Sequence, residues 1–154
     1  MKYSETPEHL RASRIDYINE RWGQLNGLFK DYSDNALKYL FLSNAGGAAA
    51  VLGFLGASSE VRDALGPRVS LSFFLLGLIA TGVLNAVLVH RIDFIFEQWR
   101  KNVDRYFSDE ITWQQLTRED DQISWGNIKE YSIGYMAFFS FVIGSLIGVA
   151  QFLC

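Results

Sequence analysis

The sequence predicts an all-α integral membrane protein, with three transmembrane helices and a small cytoplasmic helical part. Two observations carry that prediction. The apolar residues are gathered into three blocks, and nearly all the charge lies between them. Each block is also long enough. Tyr39 to Ala57, the first, holds no charged residue over 19 positions, about 28 Å of helix at 1.5 Å per residue, close to the hydrocarbon thickness of a bilayer. The competing assignment is a soluble protein with buried core helices. Three uncharged stretches of this length within 154 residues argue against it, because such stretches are rare in soluble cores.

Residues 1–38 form the first cytoplasmic segment. Met1 to Pro7 reads as a disordered lead-in, and its polar character predicts no cleavable signal peptide, so an internal helix would direct insertion. Thr6-Pro7-Glu8 is a helix start: Thr6 to cap the free amides, Pro7 at the first helical position, Glu8 to complement the dipole. The helix that follows carries an apolar seam through Ile15, Ile18, Trp22, Leu25, Phe29, Tyr32 and Ala36 at alternating steps of three and four. Its other face is charged. Gly23 and Gly27 weaken it by roughly 1 kcal/mol each.

Residues 39–57 are the first predicted span, 58–69 an external loop broken at Gly66-Pro67, and 70–90 the second span, uncharged from Ser70 to Val89. Residues 91–131 are a cytoplasmic extension and connector. Ile92, Phe96, Trp99, Val103 and Tyr106 share one face of the extension, with Glu97–Lys101 and Arg100–Asp104 as i, i+4 pairs on the other. A short helix near Ile111–Leu116 and a turn at Glu119-Asp120-Asp121 complete the connector. Residues 132–154 are the third span.

Charge asymmetry predicts orientation. Twelve of the 14 lysines and arginines fall before the first span or between the second and third, against two, Arg62 and Arg68, between the first and second. Basic residues stay on the cytoplasmic side, so the expectation is an inner-membrane protein with its N-terminus inside and C-terminus outside. Trp125, Tyr131 and Tyr135 suit an interfacial belt. Trp22 and Trp99 are too far from a span and read as a cytoplasmic core or docking surface, together with Ile15, Ile18, Leu25, Phe29, Val103 and Tyr106.

Small residues recur at four-residue steps: Ala45, Ala49, Gly53 and Ala57 in the first span, Ser140, Gly144 and Gly148 in the third. Lipid supplies no hydrophobic drive between helices, so close backbone approach matters more there. The stripes would pack the helices of one chain together, or form a subunit interface, and the expectation includes a homo-oligomer. Asn44 lies about six residues from the cytoplasmic end of the first span and Asn85 about five from that of the second, which in antiparallel helices suggests one depth. They would hydrogen-bond each other, or line a pore, with Ser43 and Thr81 as weaker company.

No catalytic constellation accompanies these residues. There is no nucleophile motif, phosphate loop or metal-ligand spacing, and the single cysteine, Cys154, can form no disulfide within its chain. His90, beside Arg91 and Asp93, is an interfacial polar residue or a pH sensor. A net charge of −3 points away from nucleic acid. The expected function is a small bacterial-type membrane protein, not an enzyme, with no cofactor and no metal. Its partners would be the bilayer and copies of itself, and it would form or perturb a pore as a channel, a holin-like factor or a defence effector. The alternative is an accessory subunit whose cytoplasmic helices dock a larger protein.

Overall fold

The computed structural model describes residues 1–57, 64–124 and 128–153. Among these there are four helices and no strand: α1 (Glu8–Ala57), α2 (Leu65–Phe107), α3 (Trp113–Ser124) and α4 (Ile128–Leu153). Three helices are long and apolar enough to cross a membrane, over Asn35–Ala57 in α1, within α2, and over Glu130–Ala150 in α4. The chain divides into two compact units. One holds residues 1–32 and 88–126, and the other 33–87 and 127–154, so α1 and α2 contribute to both.

The first unit is built on an apolar core of Ile18, Leu25, Trp99, Val103, Tyr106, Ile111 and Leu116, with Tyr3, Trp22, Ile95, Phe96 and Trp113 packed against it. The α1 seam and the α2 face meet there, and the Trp22 and Phe96 rings stack at 5.6 Å. Ile15 stays exposed at the rim, and Phe29 is described only as helix backbone.

Several local expectations are overturned in this unit. Residues 1–7 are not a disordered lead-in. They form a turn, closed by Thr6 N donating to Tyr3 O at 3.1 Å, and are tied down when Trp113 N donates to Met1 O and Ser4 N to Asp109 Oδ1. Thr6 does not cap the helix amides. Its buried hydroxyl donates to Lys2 O and accepts from Arg14 Nη1, and Pro7 O takes the first helical bonds from Leu10 N and Arg11 N. Glu97 and Lys101 form the predicted pair at 2.8 Å, whereas Arg100 and Asp104 make no ion pair among the described residues.

The acidic run Glu119-Asp120-Asp121 lies inside α3 rather than in a turn. Two causes extend the helix. Thr112 and Gln115 form a capping box: Thr112 N donates to Gln115 Oε1 at 2.8 Å and Gln115 N to Thr112 Oγ1 at 3.4 Å, so orphan donors are satisfied reciprocally. Asp120 is buried against Arg21 of α1 at 2.9 Å, so its charge is paired. The end of α2 is equally defined. Asp109 adopts the left-handed conformation at φ 58°, its N–H donates to Tyr106 O, and Glu110 N donates to Arg105 O. That is a Schellman motif with aspartate in the place glycine usually takes. The Ser4 N–H bonded to its carboxylate holds Asp109 below the usual carboxylate range.

The second unit packs parts of α1, α2 and α4. α2 begins at Leu65, earlier than the loop predicted over 58–69 allows. Pro67 falls in the first helical turn, where its missing N–H has no intrahelical partner to lose. Residues 58–63 of that loop, and Trp125 of the predicted belt, lie outside the described residues.

Candidate functional site

The residues singled out from the sequence as polar or small within the spans all belong to the second unit, and their packing sets the helix register. On α1 the buried face runs through Leu40, Asn44 and Ala48. A Cβ built on Gly47 would enter the Phe74 ring of α2, and one built on Gly77 of α2 would enter the Asn44 carboxamide. Two glycines, one on each helix, therefore admit the two side chains that fill the α1–α2 contact. Gly144 of α4 also lies against the Phe74 ring, where a Cβ would stand 3.2 Å away.

Asn44 is fully buried. Its Nδ2 donates to Leu40 O at 2.9 Å and to Ala137 O of α4 at 3.4 Å, so one amide joins α1 to α4. Its Oδ1 has no hydrogen-bond partner. The hydrogen of Gly77 that a Cβ would replace points at that oxygen, the geometry of a weak C–H···O contact. Thr81 is buried too, and its hydroxyl donates to Gly77 O at 2.8 Å. Ser43 is half-buried on the adjoining position.

Asn85 is elsewhere. The contacts that set Asn44 level with Gly77, and Gly47 level with Phe74, run antiparallel. Asn85 is two turns beyond Gly77, about 12 Å along the axis at 1.5 Å per residue, and level with Ala36 of α1. It is exposed and makes no side-chain hydrogen bond among the described residues. The expectation of a common depth is therefore corrected, and with it both the Asn44–Asn85 bond and a ring containing both amides. Counting from the sequence ends of the two apolar blocks set the depth wrongly, because the α2 block is offset against α1 by its packing.

The two small-residue stripes have different fates. Ser140 and Gly144 are buried and Gly148 half-buried: Ser70 of α2 donates its hydroxyl to Gly144 O at 2.7 Å, and a Cβ on Gly148 would meet Ser70 Oγ at 3.5 Å. The α4 stripe thus packs against α2 of its own chain, the first of the two readings its spacing allowed. On α1, Ala45 is half-buried and Ala49 and Gly53 are exposed, one residue off the buried face. Open space stands over Gly46, Gly53 and Gly56.

Sequence reasoning missed Gly47, Phe74 and Gly77, which carry the α1–α2 contact. Their signal was present as glycines facing bulky residues on another block, but it is readable only once the register is known. His90 is exposed, and no group of three potential metal ligands occurs among the described residues. Compared with known proteins, the chain matches no family model, no curated protein and no solved structure.

Proposed function

We propose that the protein is a multi-pass inner-membrane protein, N-terminus inside and C-terminus outside, that self-associates and acts by opening or perturbing the bilayer. The observation that carries this reading is the unused face of α1. Gly46, Ala49 and Gly53 are exposed with nothing packed over the glycines, while the comparable stripe of α4 is consumed within the chain. In lipid such a face gains from another helix approaching closely, and a second copy supplies one. The orientation follows from the twelve-to-two distribution of basic residues.

Any water path would then run between copies. Asn44 and Thr81 are spent on intrachain bonds, which leaves exposed Asn85 and half-buried Ser43 as the singled-out polar residues available to line it. The test is membrane permeability on expression, together with detergent-solubilised mass. Gly53→Leu is expected to lower the oligomer mass and Asn85→Leu to lower the leak without changing the mass. Thr81→Val, which loses only a hydroxyl bonded within its own helix, should alter neither. A monomeric, non-leaking wild type would sink the proposal. In the accessory-subunit reading, the first unit would dock a larger protein, and exposed Phe94 on α2 favours it. A monomer that is stable only with a co-expressed neighbour would select that reading.

A further inference from the structure

A crevice of about 230 Å³ is enclosed by α1, α2 and α4 in the second unit. Ala50 and Phe54 of α1, Pro67 of α2, and Gly144, Gly148 and Val149 of α4 form its walls. The one hydroxyl in the lining, Ser145, already donates to Phe141 O at 2.8 Å within its own helix. Nothing in the walls offers a polar ligand a partner, and a ligand that fits must be apolar where it sits.

Its position gives the ligand a length and a direction. The inner end is at Phe74, level with Gly47 near the middle of the α1 apolar stretch, and the other end is at Pro67 in the first turn of α2. Seven residues of helix separate them, about 10 Å. One leaflet of hydrocarbon is about 15 Å deep, half of a ~30 Å core. The crevice therefore runs from mid-span toward one membrane surface over most of a leaflet. At that surface end the next residue after Pro67 is Arg68, with an exposed side chain, in the first turn of the helix. A guanidinium and a helix start both favour an anion there.

We infer that the crevice holds one acyl chain of a phospholipid from the leaflet at the α2 start, with the lipid phosphate at Arg68. This rests on the membrane-spanning reading proposed above. An acyl chain lies along a crevice of this depth and orientation, and the phosphate it carries falls where Arg68 and the α2 start place positive charge. Ala50 and Val149 are at the mouth, both exposed, so larger side chains there would fill the space without entering the buried contacts.

The experiment is native mass spectrometry of the full chain, extracted from membranes in mild detergent, with phosphatidylglycerol or diacylglycerol added. Wild type should retain one phosphatidylglycerol per chain. Ala50→Phe and Val149→Phe should each lose it with helical content unchanged, while Leu75→Phe, on an exposed position outside the crevice, should keep it. Arg68→Gln should weaken retention of phosphatidylglycerol and leave that of diacylglycerol, which lacks the phosphate, as in wild type. Equal retention by wild type and both crevice variants overturns the assignment. So does a fall in oligomer mass in those variants without loss of lipid, which would make the occupant a second copy. Protein found in the soluble fraction instead would overturn the membrane reading itself, a result distinct from an inserted protein whose crevice takes up no lipid.

Discussion

Gly47→Ala offers a direct test of the packing in the second unit. In the helix interior, replacing glycine by alanine gains up to about 1 kcal/mol of propensity. Here the new methyl would enter the Phe74 ring. The ring's room to move is limited, because Gly144 of α4 also lies against it, at 3.2 Å from where a Cβ would stand, and Phe141 packs near it at 6.2 Å between centroids. Overpacking of this kind costs about 1–3 kcal/mol, so the net effect is a loss of up to about 2 kcal/mol. Gly82→Ala, on an exposed position of α2, makes the same chemical change with open space above it, and should gain rather than lose. In a Phe74→Ala background the obstacle is gone, and Gly47→Ala should become stabilising, a coupling of about 1–3 kcal/mol between the two sites. The assay is reversible unfolding in mixed micelles, followed by circular dichroism across an SDS titration. If Gly47→Ala is as stable as Gly82→Ala, or if its effect is unchanged without the Phe74 ring, this α1–α2 register is wrong.

Other outcomes follow from the first unit and from the proposed topology. Asp120→Ala should destabilise the unit by about 3 kcal/mol, since it removes the buried carboxylate paired with Arg21 at 2.9 Å, and thermal melts of wild type and variant check it. Thr112→Ala removes one half of the capping box, and a loss of about 1 kcal/mol is expected in the same melts, with hydrogen exchange rising first at the start of α3. Asp109 has a carboxyl held low by Ser4, so its contribution is present above the unfolded value of about 3.9 and is lost as pH falls through the lower folded value. Release of residues 1–7 in acid should therefore be seen by proteolysis of wild type, and Asp109→Asn should flatten that pH dependence. A C-terminal reporter active only in the cytoplasm should be silent, and activity would reverse the proposed orientation.

Hydropathy and charge determined the helical class, the three stretches long enough to span, and the seam that became the first unit's core. Each is a property of one segment: an uncharged run announces itself by length, and Ile18, Leu25, Trp99, Val103 and Tyr106 by their spacing on their own helices. What a segment meets is a different kind of information. The sequence contains Thr112 and Gln115 at capping-box spacing, yet whether α3 continues through Asp120 depended on Arg21, 99 residues away. Met1 to Pro7 looked unstructured because their partners, Asp109 and Trp113, are distant in the chain. Depth in the spans depended on register, and register on two close approaches, Gly47 with Phe74 and Gly77 with Asn44. Those contacts turned Asn44 inward, left Asn85 two turns away, and turned the α4 stripe toward its own chain. The α1 stripe, alike in composition, stayed open, because a helix buries one face at a time, and its neighbours decide which.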